Sequence, residues 1–290
     1  MRHALAAALL ALAVPAAAQH ATEDARRPPL FVLEDADSKV YLLGSIHALP
    51  ADALPLPAAV EAAFEAADVV AFEIDLDAAQ SEAPAMAQKG LDGVTVADAL
   101  SPVQLERFDA ALERLGVPAP ALHAFEPWLA ALTVTAFDVQ TRGMMAEGGV
   151  DRHLFDRAKA LDREIVPFET VALQTHVFDG LRVEDQVAFL MATIDGLDAG
   201  DDTDAYQLLL DAWAEGDDDG LATMMTEGLD SSPALFDRLL TARNRAWVPQ
   251  VEALLARDQD ALVVVGAGHL VGEASVVTLL REAGYSVVRQ

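Results

Sequence analysis

The sequence predicts an α/β domain with a mixed central sheet, formed by strands near both ends of the chain around a large helical insertion. Two apolar, β-branched runs, 40–43 and 262–265, lead directly into Gly44 and Gly266. The residues between them are rich in alanine and favour helices. Because a glycine directly after a buried strand permits a sharp turn or a close approach, we expect a ligand crevice at the carboxyl ends of these strands.

The remaining elements follow in order along the chain. Two apolar runs around an Asp/Ser turn predict a hairpin near the start. The predicted strands are 30–33, 39–43, 68–76, 164–168, 262–265 and 285–289. Residues 80–94 are predicted as a loop, and helical insertions are predicted at about 100–160 and 180–257. Residues 19–290 are therefore expected to form one domain.

The composition restricts the binding partners and the cellular compartment that we expect for this protein. The 290 residues carry a formal net charge of −28, which argues against nucleic acid or an anionic membrane surface as a partner, and they contain no cysteine. Residues 1–18 have the basic start, apolar core and small-residue cleavage site of a signal peptide. No later segment is long and apolar enough to predict a membrane span. These features predict a periplasmic or secreted protein.

Two histidines and several carboxylates are the candidate site. His47 and His269 each close a GxxH sequence after an apolar run, and Glu73 interrupts or ends the third predicted strand. Glu169 follows the fourth strand, and Asp151 begins a predicted helix, where capping is its expected minimum role. Imidazole and carboxylate ligands suit a divalent metal, and such a set leaves coordination positions open for water. His47, Glu73 and His269 are the predicted metal ligands, with Glu169 or Asp151 in reserve.

Other roles for these residues stay open at this point. In a reaction without metal, one histidine is a general base oriented by Glu73 and activates water directly. In a structural role, both histidines are hydrogen-bonded at the edge of the sheet. Arg243 and Asn244 are further candidate catalytic residues that would stabilise an oxyanion or a substrate carboxylate, although pairing with Asp237 also accounts for Arg243.

Several segments resemble the TraB/GumN family, which is related to the Tiki metalloproteases. The matching segments are YLLGSIHALP, VAFEIDL, GVDRHLFDRAK, VPFETVALQ, RNRAW and VVGAGHLVGEASVVTLLREAGYSV, in family order. The resemblance implies that His47, His269 and Glu73 form the catalytic centre. It also implies a peptidase that uses Mn or Co, on a fold like that of erythromycin esterase and ChaN-like proteins. Ser45 stands where the family often has threonine.

The predicted function is a metal-dependent hydrolase of the cell envelope or a secreted one, which acts on peptides or small molecules. Manganese, cobalt or zinc is the expected metal. Two alternatives remain. One is an esterase-type hydrolase with a histidine base and no metal. The other is a periplasmic protein that binds a small molecule, haem or a peptide without catalysis.

Overall fold

The computed structural model describes residues 26–50, 54–144, 148–198, 205–229 and 233–290. The predicted signal peptide, residues 1–18, lies outside these residues. Among the helices in the described ranges, none has the length and apolar character needed to cross a membrane.

A mixed sheet of six strands forms the centre of the fold, in the order β4-β3-β5-β2-β1-β6. The strands are β1 (Leu30–Glu34), β2 (Lys39–Ser45), β3 (Val69–Phe72), β4 (Glu164–Pro167), β5 (Ala261–Gly266) and β6 (Val287–Arg289). Strands β2 to β5 are parallel to one another, whereas β1 runs antiparallel to both β2 and β6. The predicted fold class, a mixed sheet built from both ends of the chain, is confirmed.

Helices cover both faces of the sheet and fill the long connections. Before β4 they are α1 (Ala58–Ala66), α2 (Leu76–Lys89), α3 (Val96–Ala99), α4 (Pro102–Arg114), α5 (Pro127–Thr141) and α6 (Val150–Ala160), with a 3₁₀ helix at Ala119–Leu122. After β4 they are α7 (Val171–Asp179), α8 (Val183–Asp198), α9 (Ala205–Glu215), α10 (Asp218–Leu229), α11 (Pro233–Phe236), a π-helix (Asp237–Thr241) and α12 (Ala242–Leu255). A 3₁₀ helix (Ala267–His269) follows β5, and α13 (Val276–Glu282) precedes β6.

The first insertion starts earlier than the sequence suggested. The first helix after β3 begins at Leu76 rather than near residue 100, so the predicted loop at 80–94 is wrong for most of its length. Asp75 starts this helix by accepting from the backbone N–H groups of Asp77 and Ala78, and alanine-rich residues continue it through Pro84. Helix α7 (Val171–Asp179), which Thr170 caps, precedes the second predicted insertion.

The alternation of side chains along the central strands creates one core on each face of the sheet. Val70 and Phe72 of β3 pack into the core that contains α1 and α6, where Phe72 meets Phe155 edge-on at 5.2 Å between ring centroids. Val69 and Ala71 point to the opposite core, which contains α12 and α13. Because both faces are covered, β3 and β5 are apolar without interruption. A third core joins α4, α5 and α8 away from the sheet.

Candidate active site

Three of the predicted site residues converge at the carboxyl edge of the parallel strands. His47 follows β2 by two residues, Glu73 directly follows β3, and His269 ends the 3₁₀ helix after β5. Strand β5 lies between β3 and β2. A Cβ atom placed on Gly266 would lie 3.3 Å from Glu73 Oε1, 3.5 Å from His47 Nε2 and 3.7 Å from His269 Cδ2. The three side chains therefore surround one point above Gly266.

Glu73 is a buried carboxylate whose two oxygens both have donors. The backbone N–H of Gly266 donates to Oε1 at 2.7 Å, while Arg243 Nη2 and Gln174 Nε2 donate to Oε2 at 2.6 and 3.1 Å. Burial opposes ionisation, but the charges of His269, Arg243 and His47 outweigh it and lower the pKa of Glu73 to about 2. Glu73 is thus a fixed, ionised acceptor near neutral pH.

His47 lies at the open side of the site and pairs with Asp151. The Nδ1–H of His47 donates to Asp151 Oδ2 at 3.2 Å, which leaves Nε2 facing the point above Gly266. Desolvation opposes protonation, but the charge and hydrogen bond of Asp151 outweigh it and raise the pKa of His47 above its usual 6.5. The side chain of His47 is 65% exposed, so water screens part of this effect.

Asp151 does not have the capping role that we predicted from its position. Gly149 is the N-cap of α6, and no side chain caps this helix end. A Cβ atom on Gly149 would lie 2.3 Å from the carbonyl oxygen of His47, so only glycine lets the helix start this close to the His47 loop. Asp151 in the first turn then reaches the imidazole. The positive end of the helix still stabilises its charge.

Arg243 binds the two carboxylates that follow β3 and β4. Its Nη2 donates to Glu73, and its Nε donates to Oε1 and Oε2 of Glu169 at 2.9 and 3.1 Å. Trp247, one helical turn later, donates Nε1–H to Glu169 Oε1 at 2.8 Å, and the guanidinium stacks over its ring at 4.8 Å. These contacts pair Arg243 with Glu73 and Glu169 rather than with Asp237.

His269 is held in one tautomer by Asn244. The amide Nδ2 of Asn244 donates to the carbonyl of Ala274 at 2.8 Å, which turns its Oδ1 towards His269 Nδ1 at 2.6 Å. The Nδ1 of His269 therefore carries the hydrogen, and its Nε2 accepts from Arg243 Nη1 at 3.2 Å. Burial, together with the charge of Arg243, lowers the pKa of His269 to about 3, so this imidazole is neutral near neutral pH.

Two residues that matter to this geometry were not among the predicted site residues. Gln174 donates to Glu73 from the first turn of α7, and Trp247 contacts both Glu169 and His269, with 4.4 Å between the indole and imidazole centroids. The RNRAW segment carried the signal for Trp247, because residues four apart share a helix face. Gln174 had no comparable signal beyond its place after a strand.

Two of the predicted metal ligands, His269 and Glu169, accept hydrogen bonds from Arg243 in this structure. Within the described ranges, no three His, Asp or Glu side chains are grouped as a metal-binding cluster. Glu169 accepts from Arg243 and Trp247, whereas Glu73 Oε1, which accepts from the backbone of Gly266, keeps capacity for a further donor. An ion placed among these side chains would face the guanidinium, whose charge repels it. The arrangement places an imidazole Nε2 beside an ionised carboxylate, and Asp151 raises the pKa at which this nitrogen loses its proton.

Two pockets border the candidate site residues. The pocket in front of His47 and Glu73 has a volume of about 220 Å³ and is also lined by Ser45, Asp151 and Gln174, with apolar walls from Phe72, Ile74, Leu76 and Val264. A second pocket of about 570 Å³ lies behind Asn244 and is walled by α10 and the loop after β5. Because it contains neither His47 nor Glu73, we place the candidate reaction in the smaller pocket.

Comparison with known proteins identifies the family of this chain. YbaP, an uncharacterized protein of Escherichia coli (strain K12), is 26% identical over 251 residues, which cover 83% of this chain and 87% of that protein. A protein described as a metalloprotease TIKI homolog, from Amphimedon queenslandica, is 40% identical over 57 residues, or 19% of this chain and 11% of that protein. The model of the TraB/PrgY/gumN family matches residues 29–289, so the chain belongs to the TraB/PrgY/gumN family.

Proposed function

We propose that the chain is a hydrolase in which His47 activates water as a general base. One observation carries this proposal: His47 Nε2 and Glu73 Oε1 both lie within 3.5 Å of one point above Gly266, and both residues line the pocket of about 220 Å³. Asp151 holds the other ring nitrogen and so fixes the tautomer. An oriented imidazole with a free nitrogen beside an acceptor is what activation of water requires.

The reaction follows from the protonation of these groups. Water in the pocket donates one hydrogen to His47 Nε2 and the other to Glu73, which can only accept because it is ionised. As the water oxygen attacks a carbonyl carbon, its proton passes to Nε2. The imidazolium then returns that proton to the leaving nitrogen or oxygen, and the bond between the carbonyl carbon and the leaving group breaks. The products are a carboxylic acid and an amine or alcohol.

His269 and Arg243 act as positioning residues in this scheme. Neutral His269 accepts from Arg243, and Arg243 holds Glu73 at 2.6 Å. Asn244 completes the chain of contacts by fixing the His269 ring. Such supporting hydrogen bonds keep a reacting group within the narrow range of geometry that catalysis needs.

We propose peptides as the substrate class and the bacterial cell envelope or the secreted fraction as the place of action. The substrate is supported by the name of the TIKI homolog, a metalloprotease, and the location by the signal-like residues 1–18. The same name favours a second candidate, a metal-dependent peptidase using manganese, cobalt or zinc. The guanidinium of Arg243, which lies beside Glu73, Glu169 and His269 and would repel a metal cation, supports the reaction without metal.

One experiment separates these candidates. The purified protein is analysed for metal, treated with chelator, and then incubated with a peptide library and a panel of esters, with products read by mass spectrometry. Peptide hydrolysis that survives chelation and is lost in His47→Gln supports the general-base hydrolase. Loss of hydrolysis on chelation and its return with one metal supports the metallopeptidase. Absence of turnover on all substrates would favour the binding protein, and visible absorbance would identify haem as its ligand.

A further inference from the structure

Helix α9 places two side-chain donors against the backbone on either side of His47. The Nε1–H of Trp213 donates to the carbonyl oxygen of Gly44 at 2.8 Å, and the hydroxyl of Tyr206 donates to the carbonyl oxygen of Ala48. The two donors are seven residues apart, so they lie on one face of the helix, and both pack into the core that contains α1 and α6. One helix therefore holds the chain three residues before His47 and one residue after it.

The segment that carries His47 does not obtain its position from regular structure. Residues 46–48 belong to neither a helix nor a strand. Buried backbone groups that have left a sheet need other hydrogen-bond partners. Helix α6 supplies one, because the backbone N–H of Val150 donates to the carbonyl oxygen of Ile46 at 3.0 Å. Helix α9 supplies the next one along the chain, the Tyr206 hydroxyl.

We propose that Tyr206 and Trp213 are positioning residues that hold His47 where it can act on water. This inference rests on the proposed hydrolase and names the residues that align its base. The side chain of His47 is 65% exposed, so few neighbouring atoms hold the ring itself. Its position therefore depends on the backbone that carries it and on the hydrogen bond to Asp151. Reacting groups must stay within about 0.5 Å of their productive geometry, which a loosely held segment does not provide.

Trp213 binds at the point where the two GxxH sequences touch. A Cβ atom on Gly44 would lie 3.0 Å from the Cα atom of Ala267, the first residue of the 3₁₀ helix that ends at His269. Trp213 is 2% exposed and packs into the same core as Ala267. Because interiors are closely packed, the bond that fixes Gly44 also fixes the separation between the segments of the two histidines.

Tyr206 is suited to hold the residue that follows His47. Burial raises the pKa of its hydroxyl to about 12, so the hydroxyl keeps the hydrogen that it donates to Ala48. The described residues that line the pocket of about 220 Å³ do not include Tyr206 or Trp213. Since neither side chain faces the substrate, their removal should slow the reaction without weakening substrate binding.

The first test removes the Tyr206 hydroxyl and keeps its ring. In Tyr206→Phe, kcat on a peptide found by screening should fall about tenfold while KM stays within about twofold, since even a 1 Å displacement can cost about 100-fold in rate. Tyr285→Phe is the matched control, because it removes a hydroxyl that interacts with Glu252 and lies at the opposite core. The control should keep the kcat of the parent protein. Equal kcat in the two variants, or a rise in KM alone, would overturn the role of Tyr206.

The second test removes the indole donor. Trp213→Phe is compared with Trp128→Phe, which takes the same volume from a fully buried indole of α5. Both variants should lose stability to urea, but only Trp213→Phe should lose kcat beyond what its control loses. A Trp128→Phe variant that loses as much kcat would show that Trp213 acts through packing and would reject its positioning role.

Hydrogen exchange reports on the segment apart from turnover. The amide of Val150, which donates to Ile46, should exchange faster in Tyr206→Phe than in Tyr285→Phe, whereas the amides of β5 should exchange alike in both. If the parent protein turns over no peptide, this measurement decides the structural part. Faster exchange without turnover would refute the hydrolase alone. Turnover whose kcat is unchanged in Tyr206→Phe, together with unchanged exchange, would refute the positioning role alone.

Discussion

Replacing Gly266 by alanine should remove activity and leave the fold intact. The backbone at Gly266 has φ −51° and ψ 137°, a conformation that alanine adopts readily. The new methyl group would lie 3.3 Å from Glu73 Oε1 and 3.5 Å from His47 Nε2, in the space where we place the reacting water. We expect kcat/KM to fall on the order of 100-fold, or about 2.7 kcal/mol, because the water is displaced from its position between base and acceptor.

Stability should change little in this variant. Alanine restricts the unfolded chain, which stabilises the protein by about 0.4–1 kcal/mol, and the tight contact with Glu73 offsets part of that gain. Urea denaturation measures the change in the free energy of unfolding. The change in activity is measured as kcat/KM on a peptide found by screening. Gly196→Ala in α8 is the matched control, because its added methyl group meets no atom within 4 Å. A Gly266→Ala variant with the control's rate would show that the reaction does not occur above Gly266.

Three further predictions address the charged groups of the site. His47→Gln should abolish turnover. It should change the free energy of unfolding by less than about 0.5 kcal/mol, because the side chain is exposed. A large fall in Tm would instead show that His47 has a structural role. The kcat/KM of the parent protein should rise with pH through a midpoint above 6.5, because His47 acts as a base only above its raised pKa. Asp151→Asn should move the midpoint of any residual rate to lower pH. An unmoved midpoint would assign the titration to another group. Arg243→Ala should lower the free energy of unfolding, measured with urea, by about 3–5 kcal/mol, because Glu73 and Glu169 lose their buried partner. A variant of near-native stability would show that these carboxylates do not depend on Arg243.

The sequence was most informative where local patterns and close backbone contacts coincide. The apolar runs before Gly44 and Gly266 predicted the two central parallel strands, and other residues approach both glycines closely. A Cβ atom on Gly44 would lie 3.0 Å from Ala267 Cα. The paired GxxH sequences also pointed to one edge of one sheet, where His47 and His269 are found.

The partners of the site residues were harder to predict, because they depend on packing between distant segments. Glu169 and Asp151 looked alike in sequence, each a carboxylate at the end of an element, yet Glu169 binds Arg243 and Asp151 binds His47. Spacing does not reveal that a guanidinium from α12 enters between the carboxylates. Helix α2 was missed because Pro84 and the polar residues around it are typical of loops, although alanine continues the helix.

The place of β5 in the sheet sets the order in which a newly made chain can assemble its reactive centre. Strand β5 separates β3 from β2, and it is translated after both of them and after eleven intervening helices with described bounds. Until residues 261–266 leave the ribosome, the loops that carry His47 and Glu73 have no common strand to align them. The loops that carry His47 and Glu73 are therefore aligned only after nearly all of the helical residues have been synthesised.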